Sequence, residues 1–418
     1  MPPLTRRLVS LACAATLVAS LLSIWAIFDP SPLYLKLDTS GLLNRIVSFG
    51  AHDGHRFWTY SGDSHDNSTD PSTAALAYPP SETRQPKTLG IADNIYVLSL
   101  PRRVDRRRSM ERLRQTLGLQ WTYVDATDAD GDAIHNIHAH IRSRRTSTEE
   151  EVVNGVSDDT FQWPNASIID TKALSGLPLG LADSDYCVHD PLPALAPLTC
   201  ASKNYVMGPP FDAGLPGYML LTPAKIACWY SHLEIIRKVA EGGAGDDMKS
   251  GEAANNPQAD AVTVVLEDDV DMERDIHARL REVWGLLPGE WDIVFLGHCW
   301  SNESYYPALR GKQTTPVNDS GPRANLHPSF APKCTHAYAL TRTGARRLLL
   351  YLRHTPFAYS RALDQAISWL ILSGKLKAFS VVPSVVVQRK IGHSDIDTSG
   401  RGMGSMWRDR LENGVLGS

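Results

Sequence analysis

Three consecutive acids, Glu267-Asp268-Asp269, follow directly on the apolar, β-branched run Ala261 to Leu266. Such a run reads as a central strand covered on both faces, and ligands in open α/β sheets bind beyond the carboxyl ends of their strands. Extended geometry puts Glu267 and Asp269 on one side of the chain and Asp268 on the other. Carboxylates this close repel one another unless a cation lies between them. A hard divalent ion such as Mn2+ or Mg2+, bridging carboxylates and a diphosphate, satisfies both partners. The plain alternative is three solvated acids at a strand end.

Alternating strands and helices must position these acids. Ile95 to Leu100 reads as a buried strand, Arg103 to Leu117 as a helix with Met110, Leu113 and Leu117 on one face, and Trp121 to Val124 as a second strand. The clearest helix opens at Thr222, an N-cap followed by Pro223 at the first helical position, and stops at Gly242-Gly243. Further helices are expected over Ile276 to Leu286, Thr343 to Leu352 and Ala362 to Leu372. Further strands are expected over Trp291 to Leu296, Ala337 to Leu340 and Phe379 to Val387. This alternation implies an α/β sandwich with a mostly parallel central sheet. Between Asp128 and Leu220 the chain has many prolines, a basic-then-acidic stretch (Arg142 to Glu151) and little periodicity, and reads as a long insertion.

Several blocks, in the same order, resemble glycosyltransferase family 25, which includes lipopolysaccharide and procollagen galactosyltransferases. They are IYVLSLPRRVDRR with Leu100, Asp105 and Arg106, then VDATDADG, LTPAKIACWYSHL with Ser231, His232 and Leu233, VVLEDDV, WDIVFLG, AYALTRTGARRLL, and His393-Ser394-Asp395-Ile396. Ser99 stands where that family usually has Asn. The resemblance covers about Asn94 to Asp397 and implies a GT-A-like, Rossmann-like nucleotide-sugar-binding fold. It also implies a UDP-sugar donor, dependence on Mn2+ (or Mg2+), and transfer of a hexose, galactose by this likeness, with inversion.

On that likeness Asp269 is the principal metal ligand, Glu267 helps to hold the metal or ribose, and Asp268 orients the donor sugar. His393 completes the metal shell, or is an exposed loop residue in a polar stretch. Arg103 and Arg106 meet phosphate or uracil, or belong to a solvated helix start. Leu100, Ser231 and His232 line the donor site, the latter two alternatively packing beside Trp229. Inversion needs a base for the acceptor hydroxyl. Asp364 is the candidate, its alternative being a helix-start acid favoured by the dipole, and Asp292 and Asp395 are next in line. The acceptor class, whether glycan, glycoprotein, hydroxylysine or lipid-linked sugar, is left open. A relative that binds nucleotide sugar without turnover is the alternative, and a metal-dependent phosphohydrolase ranks last for want of a second ligand cluster.

With 43% hydrophobic and 21% charged residues the 418-residue chain is neither collagen-like nor wholly disordered. Its net charge of -4 gives no general attraction for a phosphate backbone, so nucleic acid is not an expected partner. Residues Leu8 to Phe28 carry no charge and follow Arg6 and Arg7, which fits a single-pass anchor with a cytoplasmic tail (1–7) and a lumenal body. A cleaved signal peptide is the alternative, but the stretch ends in Trp and Phe rather than small residues. The expected layout is a stem (29–90), a transferase domain (91–398, with the insertion at 128–220) and a tail (399–418), in the Golgi or ER membrane. Sequons at Asn67, Asn165, Asn302 and Asn318 fit that compartment. Of the six cysteines, Cys187 with Cys200 and Cys299 with Cys334 are candidate bridges, and Cys228 is the candidate free thiol.

Overall fold

The computed structural model describes residues 86–153, 160–167, 196–242, 260–299, 301–311, 324–389, 395–396 and 411–417, all within the unit Arg56–Ser418. The expected anchor, nearly all of the stem, and His393 lie outside these residues. Among the described residues no helix is long and apolar enough to cross a membrane.

Seven strands form one mixed sheet in the order β2-β1-β3-β7-β5-β8-β6. They are β1 (Asn94–Ser99), β2 (Thr122–Asp125), β3 (Val262–Glu267), β5 (Ile293–Cys299), β6 (Asn325–Pro328), β7 (Lys333–Thr341) and β8 (Ala378–Val382). β1 runs parallel to β2 and β3, and β5 runs parallel to β8, whereas β7 lies antiparallel between β3 and β5. β6 is antiparallel at the edge. Two three-residue strands, β4 (Val270–Met272) and β9 (Val386–Gln388), pair separately and antiparallel.

Side chains alternate between two cores, as the two-residue strand period requires. Tyr96 and Leu98 of β1, Val265 of β3, Phe295 of β5 and Tyr338 and Leu340 of β7 face one core. Ile95, Val97, Val264, Leu266, Val294, Leu296, Ala337 and Ala339 face the other. The first core is covered by α2 (Asp132–Val153), α3 (Pro223–Glu241), α5 (Arg342–Leu352) and α6 (Leu363–Leu372). The second is covered by α1 (Val104–Leu117) and α4 (Ile276–Trp284). The protein is therefore a three-layer α/β fold around a mixed sheet, an architecture compatible with a Rossmann-like fold. The Thr222 hydroxyl caps α3 by accepting from Lys225 N, as its sequence requires.

Five sequence expectations are revised. The insertion, read as having little periodicity, opens with a long helix: α2 runs 22 residues and buries Ile134, Ile137 and Ile141. The last residues of the expected stem already belong to the body, since Leu89 is buried and Lys87 O accepts from Gln120 N. The expected final strand is two strands, β8 and β9, separated by a turn containing the cis Val382–Pro383 bond. Cys200 is a free buried thiol, which removes its bridge to Cys187, a residue outside those described; Cys299–Cys334 is formed and Cys228 is free.

The expected tail is also partly built into the body. Glu273 and Asp271, buried beside and within β4, accept backbone N–H groups from Glu412 (2.7 Å), Asn413 (2.9 Å) and Leu416 (2.9 and 3.0 Å). Leu411 and Val415 are buried by the same docking. The last turn of chain thus braces the strand that follows the three acids. Glu273→Ala orphans two N–H groups and is expected to cost about 1 to 3 kcal/mol of unfolding free energy. Glu412→Ala, removing an exposed partner of Arg279, is expected to cost less than about 1 kcal/mol. Chemical denaturation of the two variants checks the difference.

Candidate functional site

The acids sit where β3 ends: Glu267 is its last residue, and Asp268-Asp269 turn directly into β4. Each carboxylate has its own set of partners. Glu267 Oε1 accepts from the Thr335 hydroxyl at 2.8 Å and lies 3.3 Å from His232 Nε2. Asp268 is buried and accepts from the Ser99 hydroxyl (2.8 Å) and from Arg106 Nη1 (3.0 Å). Asp269 Oδ2 lies 3.2 Å from the same Arg106 nitrogen. Glu267 and Asp269 share the Gln388 amide, which donates to them at 3.3–3.4 Å. The alternation expected of extended chain is realised, with Asp268 turned to β1 and the other two acids turned to β9.

Backbone geometry explains why these partners meet. β4 pairs with β9 so that Val270 faces Gln388, and Arg389 N donates to Asp269 O at 2.6 Å. β9 can approach β5 this closely only because residue 297 is glycine; a Cβ there would collide with the Val386 carbonyl and the His336 ring. The Cys299–Cys334 bridge ties the end of β5 to the start of β7, the strand that brings Thr335 to Glu267.

The electrostatics are uneven. Burial raises the Asp269 pKa to about 7, helped by the neighbouring Glu267 charge and opposed by Arg106. Burial also raises Asp268, against its hydrogen bonds from Arg106 and Ser99. Glu267 is pushed up by burial too, but the His232 hydrogen bond and nearby imidazoles outweigh this and hold it below its usual value. Buried and part-buried carboxylates that outnumber the one guanidinium paired with them, and that offer oxygen donors only, fit a hard divalent cation. Their oxygens do not all lie within 4.8 Å of one another; among the described residues that spacing is met by Cys299, Cys334 and His336, whose two sulfurs are bonded together.

The remaining sequence candidates fall on or near one cleft, lined in part by Leu100, Arg106, Ser231, His232 and the three acids. The Ser231 hydroxyl donates to Ala227 O (2.7 Å) and accepts from Thr127 N (2.9 Å), so it pins the loop after β2 onto α3. His232 is fully buried, with Nδ1 2.9 Å from the Tyr338 hydroxyl, and so acts by orienting Glu267. Arg103 pairs with Asp105 and Asp395. Asp364, second residue of α6, accepts from Cys334 N (3.2 Å) and Gln365 N (2.7 Å). It is not a lining residue, but it lies close to one: burial first, then the charges of Glu267 and Asp364, push the cleft-lining Cys228 thiol well up. Asp292 is set aside, because it precedes the interior strand β5 at the end of the sheet opposite the three acids, bound to Arg347 and to Lys377 N.

Sequence reasoning missed Gln388 and Thr335 as site residues. Gln388 carries only the weak signal of a polar residue at a strand end. No protein-family model matches the chain, and no curated protein matches it.

Ionising Asp269 works against folding in the metal-free protein. Its folded pKa lies above the unfolded value of 3.8, so the folded state holds the proton longer and stability falls as pH rises from about 4 through about 7. Asp269→Asn is therefore expected to raise metal-free stability at pH 8, on the order of 1 to 3 kcal/mol, with little effect at pH 4. Thermal melting in chelator at the two pH values checks this.

Proposed function

We propose that the protein is a metal-dependent glycosyltransferase of GT-A-like fold, moving a hexose, galactose by its motif resemblance, from a UDP-sugar to an acceptor hydroxyl with inversion. The observation that carries this reading is one cleft at the carboxyl end of β3. In it, an acidic turn short of positive charge lies beside arginines at the start of α1. A nucleoside diphosphate with a divalent cation complements both halves.

Glu267 and Asp269 would hold the ion, which supplies Lewis-acid stabilisation of the departing diphosphate. The chain's own residues prepare that site. His232 and Thr335 fix one Glu267 oxygen, Gln388 spans Glu267 and Asp269, and Ser99 with Arg106 holds Asp268 aside for the sugar. Arg106 and Arg103 face the phosphates, replacing water with fixed charge where negative charge develops. Asp364 serves as the base, taking the acceptor proton from the face opposite the leaving group. The Cys299–Cys334 bridge and the exposed sequons Asn165 and Asn302 support a lumenal body behind an N-terminal anchor.

UDP release from a panel of UDP-sugars should require Mn2+ or Mg2+ and stop in chelator. Asp269→Ala should leave less than about a tenth of the activity, since a direct ligand contributes several kcal/mol; more than that with the fold intact would exclude Asp269 as the ligand. Asp364→Asn should keep donor binding but slow transfer roughly 100-fold. Normal turnover by that variant would place the base elsewhere.

A further inference from the structure

Beside the acid turn, three arginines crowd one carboxylate that comes from the far end of the chain. Asp395 lies 3.1 Å from Arg102 Nη2 and 3.4 Å from Arg106 Nη2, and it directly contacts Arg103 Nη1. Two of the three arginines share its partial burial: side-chain exposure is 22% for Asp395, 16% for Arg103 and 17% for Arg106, whereas Arg102 is half exposed at 51%. The Arg106 Nε is buried with no hydrogen-bond partner. Even with the other carboxylates these guanidinium groups contact, that nitrogen is unused, and where Asp395 offers two oxygens and one charge a phosphate offers three oxygens and a second charge.

We propose that Arg102, Arg103 and Arg106 form an oxyanion subsite for a phosphate of a diphosphate ligand, and that Asp395 is the internal anion filling it until that ligand arrives. The proposal rests on the nucleotide-sugar reading for the ligand's identity, and on the arginine geometry for the site. It also accounts for a charge problem. Arg102 is shared with Asp128, Arg103 with Asp105, and Arg106 with Asp268 and Asp269. A diphosphate entering alone would therefore add negative charge to a cleft already rich in it. Displacing Asp395 releases one negative charge and its contacts to the three arginines, which keep their other carboxylate partners, and a companion cation on Glu267 and Asp269 offsets the rest. Asp395 thus lowers the apparent affinity by the fraction of molecules in which it holds the subsite.

Calorimetric titration of the full chain with inorganic pyrophosphate at fixed Mn2+ tests this. Asp395→Asn keeps the side chain's size, removes the charge, and should bind pyrophosphate about five- to tenfold tighter than wild type. Arg102→Gln leaves Asp395 and the acid turn in place and should bind about five- to tenfold more weakly. Equal or weaker binding by Asp395→Asn overturns the proposal. So does unchanged binding by Arg102→Gln, which decides the matter should the other variant fail to fold. Absence of pyrophosphate binding by wild type and Asp395→Asn alike also overturns it. If pyrophosphate behaves as expected while no UDP-sugar is bound or consumed, the anion subsite stands and the sugar-transfer reading falls.

Discussion

Mutual repulsion among three carboxylates at the end of one strand is the constraint around which the rest of the cleft is organised. A strand end buried between two helical layers gives Glu267, Asp268 and Asp269 little water to screen them. The fold answers with partners drawn from five different places. Ser99 comes from β1, Arg106 from α1, His232 from α3, Thr335 from β7, Gln388 from β9, and Arg389 N ties down the turn's backbone. Even so the compensation is partial. Burial leaves Asp269 and Asp268 with raised proton affinity, while Glu267 alone is held low. The turn therefore resists ionisation, and the proposed cation would relieve the repulsion that its own partners leave uncompensated.

Several features far from the acids make sense on the same grounds. Gly297 lets β9 lie against β5, and β9 is what carries Gln388. The bridge between Cys299 and Cys334 fixes the strand start that delivers Thr335. The docked residues 411–417 bind β4, which begins one residue after Asp269. Each is a long-range contact whose effect is to hold a short turn still, and preorganisation of this kind is what electrostatic catalysis requires.

The framework was largely legible in the sequence. β1, β3 and β5 announce themselves as apolar, β-branched runs, and α3 by its Thr222-Pro223 start, because continuous burial on both faces forces those compositions. The acids were legible for the same reason, since a charge cluster abutting such a strand stands out. What escaped was set by non-local pairing. Three-residue strands such as β4 and β9 are too short to leave a period, so Gln388 could not be placed beside Asp269. The buried face of α2, Ile134, Ile137 and Ile141, is followed by the highly charged stretch Arg142 to Glu151, which hid the helix. The grip of three arginines on Asp395 links residues nearly 300 positions apart, and no local pattern encodes such a contact.

In the function proposed above, the turn Glu267–Asp269 and its arginine neighbours form a joint site for a divalent cation and a diphosphate. The most direct measurement is electron paramagnetic resonance of Mn2+ titrated into the full chain with and without UDP. UDP and protein together should remove the free-ion signal with one Mn2+ bound per chain, and the Glu267→Gln, Asp269→Asn double variant should restore it. A free-ion signal that the protein leaves unchanged in the presence of UDP, or one that the double variant quenches equally well, would contradict it.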